Sequence, residues 1–123
     1  MVRADALAVA RAYHRAWSTR DLDEVGRHLS EDLQVEVPIN RYAGKSDFLE
    51  AVLRTAGMTA GVTLLAELGD ADQAMLLYDM ALPIGVLRVA EHFTVRDGQI
   101  RVIRQIHDTA ALRAAGFERG GSA

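Results

Sequence analysis

Two carboxylates set in apolar runs are the residues most able to do chemistry in this chain. Glu91 stands in "LRVAEHFTV" and Asp79 in "QAMLLYDMAL". Successive side chains of a strand point to opposite faces. In the first run one face therefore carries Leu87, Val89, Glu91, Phe93 and Val95. A lone carboxylate among such neighbours is costly to ionise, so it stays neutral or finds a partner. An acid held near neutral pKa is what general acid–base catalysis requires. In the second run Asp79 shares a face with Met75, Leu77 and Ala81, and the other face carries Ala74, Leu76, Tyr78, Met80 and Leu82. Tyr13 and Trp17, four residues apart, add a phenol and an indole on one side of a helix. Gln105 and His107 add polar side chains near the end of the last strand.

The elements that must position these residues follow from periodicity. Ala6, Val9, Ala10, Tyr13 and Trp17 recur at helical spacing and predict a helix over 4–17, with His14 on its polar side. Asp21 and Glu24 read as a capping box opening a second helix, which runs to about Leu29 and carries His28 on its polar side. Leu33, Val35 and Val37 alternate in a short strand that Pro38 ends or places at a sheet edge. A turn containing Tyr42 follows. Ser46 then caps a third helix bearing Phe48, Leu49, Val52 and Leu53, which stops near Gly57. From residue 62 the period becomes that of strands, over 62–68, 73–82, 86–95 and 99–108, at hairpin spacing. Helices first and strands second predict an α+β fold, with a mostly antiparallel sheet packed against the helices. Both faces of 73–82 are apolar, which predicts a second copy of the chain over the sheet's outer face, where His92 also lies.

Bulk properties narrow the classes of function. With 123 residues the chain is expected to form one domain over 1–117, followed by a polar, glycine-rich, flexible tail over 118–123. Its net charge of −3 and lack of a Lys/Arg run argue against nucleic acid and anionic membrane as partners. The absence of cysteine removes disulfides, thiol nucleophiles and Cys-ligated zinc. No metal-ligand spacing or Gly-rich phosphate loop occurs, so neither metal nor cofactor is expected. Arg11, His14 and Arg15 break the apolar pattern of the first segment, no run reaches membrane-spanning length, and a cytoplasmic location is expected.

The last hairpin decides what faces Glu91. A two-residue turn "DG" pairs Arg96 with Gln99 and sets Arg104 opposite Glu91, an ordinary cross-strand ion pair. A three-residue turn "RDG" pairs Val95 with Gln99, sets Ile103 opposite Glu91 and brings Gln105 and His107 to its face. Residue patterns leave both open.

Two amphipathic helices, "RDLDEVGRHLSEDLQVEVP", a third helix after "YAGKSDFLEAV" and a meander ending in "FTVRDGQIRVIRQIHD" resemble the nuclear transport factor 2-like superfamily over nearly the whole chain. Within it the sequence is similar to SnoaL-type polyketide cyclases, limonene epoxide hydrolases and ketosteroid isomerases. The resemblance implies a cystatin-like cone, in which the curved sheet wraps round the N-terminal helices over an apolar cavity. It also implies the wider turn, with Gln105 and His107 inward and Arg104 outward. By likeness to ketosteroid isomerase, Tyr13 matches a hydrogen-bond donor to substrate and Glu91 a protonated acid, but Val37 stands where a catalytic base belongs. The aspartate expected from the cyclases falls on Gln105. Asp79 matches an epoxide hydrolase acid, but Leu77 stands where that enzyme needs arginine.

The resulting expectation is a cofactor-free isomerase, cyclase or epoxide hydrolase acting on a small hydrophobic molecule. Glu91, Asp79 and Tyr13 would be catalytic. Trp17, Val37, Tyr42, Phe48, Leu77, Phe93, Gln105 and His107 would line the ligand. The competing expectation is a non-catalytic ligand-binding or accessory module, again a homodimer through the outer sheet face.

Overall fold

A computed structural model describes residues 5–116; the expected tail over 118–123 lies outside the described residues. The first helix, α1 (Ala6–Ser18), starts where Asp5 accepts the Ala8 N–H at 2.8 Å. A carboxylate at this position satisfies one of the donors that a helix start leaves unpaired. Ala6, Val9, Ala10, Tyr13 and Trp17 are buried, as their spacing predicts. His14 is buried as well, contrary to its expected polar face. Its ring packs against Trp17 and Tyr78, with centroids 5.3 and 4.8 Å away. The apolar arc of α1 is wider than the stripe implied, because the sheet curls round it.

In α2 (Leu22–Arg27) Asp21 accepts the Glu24 N–H at 3.3 Å. Only half of the capping box forms, since the Glu24 carboxylate turns to Arg27 and His28 instead of reaching back. The helix ends before Leu29. That residue instead opens strand β1 (Leu29–Glu36), which begins four residues earlier than expected. In α3 (Lys45–Met58) the cap position belongs to Gly44 rather than Ser46, and the Asp47 carboxylate takes the Ala43 N–H at 3.0 Å.

The meander forms as β2 (Gly61–Gly69), β3 (Gln73–Leu82), β4 (Gly85–Arg96) and β5 (Gln99–Ile106). Sheet order is β1-β5-β4-β3-β2, antiparallel except that β1 runs parallel to β5 at one edge. A short helix α4 (Ala110–Ala114), which no sequence signal indicated, follows the last strand. The architecture is the expected α+β fold with a curved, mostly antiparallel sheet. No helix among the described residues is long and apolar enough to cross a membrane.

The core lies between α1, α3 and the concave face of the sheet. Phe93, Leu29, Ile100 and Ile103 are fully enclosed, and Tyr13 stands edge-on to Phe93 with centroids 5.7 Å apart. Small residues let the helix approach: Ala6 and Ala10 are completely buried, and a Cβ on Gly69 would lie 2.8 Å from that of Leu7. Contacts that close leave no room for an added methyl, so this crossing depends on glycine.

Two registers set the faces. The β3–β4 turn is two residues long, pairing Leu82 with Gly85 and hence Asp79 with Arg88. The β4–β5 turn is also two residues long. Asp97 and Gly98 both take positive φ, 54° and 76°, and Arg96 pairs with Gln99. Two positive φ values give the turn whose twist suits a tight hairpin. The wider turn implied by resemblance is therefore corrected. One residue later the register shifts: Val95 pairs with Ile100 but Thr94 with Val102, so Arg101 is the extra residue of a bulge. That single residue sets Gln105 opposite Glu91, and Arg104 opposite His92 on the outer face.

Candidate functional site

Glu91 lies at the centre of β4, between Leu76 on β3 and Gln105 on β5. It is 1% exposed. The Tyr78 hydroxyl donates to its Oε1 at 2.8 Å, and the Gln105 amide donates to its Oε2 at 2.9 Å. Burial pushes its carboxyl up to about 7, against the opposing pull of the Gln105 and Tyr78 hydrogen bonds. Neutral donors therefore stabilise the anion without cancelling its charge. Burial, reinforced by the Glu91 charge, holds both the Tyr13 and Tyr78 phenols well above their ordinary value. Both are hydrogen-bond donors throughout the physiological range.

Glu91 opens onto a cavity of about 160 Å³. Its walls come from α1, the segment between β1 and α3, α3, the inner faces of β3 and β4, the end of β5 with the residues just beyond it, and α4. Of the residues singled out from sequence, Tyr13, Glu91, Gln105 and His107 line it, as do Trp17, Val37, Tyr42 and Phe48. The α1 helix supplies Tyr13 and Trp17 from adjacent turns. Tyr42 and Phe48 pack edge-on, centroids 5.4 Å apart, across the entry to α3. Burial also raises the Tyr42 phenol.

Three of the expected positions are corrected. Asp79 faces away from Glu91, on the outer surface of the sheet, where Arg88 binds it through Nε and Nη2 at 2.8 and 2.9 Å. The Arg88 guanidinium holds its carboxyl below the ordinary value. An ionised surface carboxylate with an arginine partner cannot act as the second acid of the cavity. Leu77 shares that outer face, directly opposite Ala90. Phe93 faces inward but lies beneath Tyr13, fully buried and behind the cavity wall.

The residue that sequence reasoning missed is Tyr78. With both faces of β3 apolar, alternation alone cannot say which face turns inward. The available signal was the turn: a two-residue loop at Pro83–Ile84 pairs Asp79 with Arg88, an opposite-charge pair, and thereby turns Tyr78 inward beside Glu91. The ion pair considered between Arg104 and Glu91 does not form. Arg104 donates instead to Glu36 at 3.1 Å on the outer face. His92 sits there too, 2.8 Å from the Gln73 amide oxygen. Among the described residues no three His, Asp or Glu side chains converge in a manner that could hold a metal.

Residues 10–103 match the SnoaL-like domain family. Among solved structures, a Kribbella flavida DSM 17836 protein is 36% identical, with a TM-score of 0.84 over 89% of this chain and 92% of that one. An NTF2-like protein of unknown function from Cytophaga hutchinsonii ATCC 33406 is 12% identical, with a TM-score of 0.79 over 92% and 99%. A steroid delta-isomerase from Pseudomonas aeruginosa is 20% identical, with a TM-score of 0.76 over 94% and 88%. At such identities the last two likenesses concern the fold alone. No curated protein matches the sequence.

Proposed function

The chain belongs to the SnoaL-like domain family, within the NTF2-like superfamily, and from that premise we propose that its cavity binds a compact hydrophobic molecule on which Glu91 carries out proton transfer. The observation that supports this reading is a single carboxyl, 1% exposed and raised to about 7, facing a mainly apolar cavity that holds no second carboxylate. Such a group exists in both protonation states near neutral pH, so it can accept a proton at one atom of a substrate and return it at another. Tyr13, held as a neutral donor at the same cavity, would bind a substrate oxygen. Isomerisation or cyclisation needs no more than this pair. Epoxide opening by an activated water would need a second acid or base, and Asp79 faces the opposite side of the sheet.

The reading is tested by incubating the protein in deuterated buffer with compact carbonyl compounds, neutral and amine-bearing alike. Proton exchange or double-bond migration is followed by NMR. Turnover that Glu91→Gln lowers by 100-fold or more, with folding intact, supports Glu91 as the acid–base group. Turnover unaffected by that change removes it from that role.

A second reading, a binding or accessory module without chemistry, rests on one feature of the same carboxylate. Both its oxygens already accept hydrogen bonds from the protein. Under that reading neutral ligands bind the wild type and Glu91→Gln alike, and no exchange occurs.

Either activity would belong to a cytoplasmic homodimer formed through the outer sheet face. Ala66, Leu77, Ala90 and Ile106 form one cross-strand row on that face, and Leu68 with Met75 begins the next. Leu68 and Ile106 are exposed by 73% and 71% in the single chain. An apolar band of this kind, flanked by the Asp79–Arg88 and Glu36–Arg104 pairs, suits a self-complementary interface. Light scattering after size exclusion is expected to give twice the chain mass for the wild type, and the single-chain mass for Leu68→Glu combined with Ile106→Glu.

A further inference from the structure

We propose that the cavity selects compact organic cations, with Glu91 as counter-ion and the aromatic walls as the surface on which the positive centre rests. The inference deepens the small-molecule reading above and rests on it. It concerns which ligands bind, and stands whether or not a proton is then transferred.

Three features of the cavity support it. The first is charge. Of the twenty side chains that line it, Glu91 is the one carboxylate, none is lysine or arginine, and His107 is the one that could carry positive charge. An anionic ligand would meet the Glu91 charge with no guanidinium or ammonium to offset it. A cation would supply the partner that the buried carboxylate lacks, since Tyr78 and Gln105 donate hydrogen bonds but bring no charge.

The second is the material of the walls. Tyr13, Trp17, Tyr42, Phe48 and Tyr78 all border the cavity. Trp17 and Tyr78 stand together, centroids 5.8 Å apart and tilted by 55°, on the side where Tyr78 reaches Glu91. Aromatic faces attract alkylammonium groups through their quadrupoles, and a desolvated site strengthens that attraction. The same faces bind a neutral alkyl group without regard to charge, so the carboxylate supplies the selectivity.

The third is size. At about 160 Å³ the cavity is close to the volume that admits a benzene-sized molecule, roughly 150 Å³. A quaternary or tertiary ammonium with short substituents fits.

Charge selection has a definite pH signature. Tyr78 from β3 and Gln105 from β5 bond Glu91, and the cavity they share with it is also lined by His107 just beyond β5, Tyr13 and Trp17 from α1, and Tyr42 from the segment before α3. A fixed cation binds when Glu91 is ionised, so its affinity rises with pH through about 7. A neutral hydrogen-bond acceptor would show the reverse, because it needs the protonated acid.

The test uses three probes of similar shape: tetramethylammonium, tert-butanol and pivalate. Binding is followed by the fluorescence of Trp17, the chain's single tryptophan and part of the cavity wall, and checked by calorimetry. Tetramethylammonium is expected to bind at least tenfold more tightly than tert-butanol, and pivalate most weakly. With the carboxyl at about 7, tetramethylammonium should bind about tenfold more tightly at pH 8 than at pH 6. Glu91→Gln should remove that preference and its pH dependence while leaving tert-butanol binding in place. The wild-type pH profile reports on the proposal even if Glu91→Gln fails to fold. Equal or tighter binding of tert-butanol, or cation binding that strengthens as pH falls, overturns the inference and leaves the small-molecule reading intact. Failure of all three probes to bind overturns both.

Discussion

Asp79 and Glu91 sit on adjacent strands of one sheet, each with both oxygens hydrogen-bonded, yet they are in opposite electrostatic states. Asp79 faces solvent, Arg88 binds it through two nitrogens, and its carboxyl is held below the ordinary value. Glu91 faces the interior, its donors are a phenol and an amide, and its carboxyl is raised to about 7. Equal numbers of hydrogen bonds therefore do not give equal acids. What separates them is the sign of the partner's charge and the loss of water. A guanidinium neutralises the anion, whereas a phenol and an amide satisfy its lone pairs and leave the charge unscreened.

The same contrast runs along β5, where Ile103 is fully buried and Ile106 is 71% exposed. Truncation to alanine should separate the two faces most strongly. Ile103→Ala is expected to cost about 2–5 kcal/mol by urea unfolding, through lost burial and the cavity it leaves. Ile106→Ala should move the single chain by less than about 0.5 kcal/mol.

Next in size is the titration of Glu91. Its folded pKa of about 7 lies above the ordinary 4.5, so between those values the folded chain binds more protons than the unfolded one. Its contribution to stability is therefore fully present below pH 4.5 and lost as pH rises through 7, a loss of about 3 kcal/mol. Glu91→Gln, which cannot ionise, is expected to be more stable than wild type at pH 8 and to lack this slope between pH 5 and 8, as read by urea midpoints. A wild-type midpoint that rises over that interval would show that Glu91 is not held as described.

A smaller effect should follow from Tyr78→Phe. It removes one of the two donors from the buried carboxylate, with an expected cost of about 1–3 kcal/mol at pH 8, where the anion needs it. At pH 5, with Glu91 protonated, most of that cost should disappear. The loss should also move the Glu91 titration, followed by ¹³C NMR of its carboxyl, to higher pH. The smallest effect belongs to Asp79→Asn. An exposed ion pair contributes little in water and is screened by salt, so the urea midpoint should not move measurably at any pH between 5 and 8. A large shift there would mean that the two carboxylates are less different than their surroundings imply.

How much of this was legible beforehand varies residue by residue. Glu91 could be placed inward because its strand alternates clearly, with Leu87, Val89, Phe93 and Val95 beside it and Arg88, His92 and Thr94 opposite. Tyr13 and Trp17 could be placed because helical spacing put them on the apolar arc. Asp79 could not, since Met75 and Leu77 are as apolar as Leu76 and Met80, and a strand without polar alternation carries no phase of its own. Gln105 was brought to the right face by an expected wide turn. The chain instead uses a tight turn followed by a bulge at Arg101, which gives the same parity by another route.

The sequence by itself determined the order of elements from α1 to β5, the sheet's antiparallel meander and the inward face of its central strand. These follow from local spacing, which each segment carries alone. Tertiary structure decided that β1 lies parallel to β5, that His14 is enclosed, and that Tyr78 rather than Asp79 meets Glu91. Each of these depends on the register between separate segments. One residue of slip reverses every side chain of a strand, and the sum of many pairings chooses among slips that no single segment can distinguish.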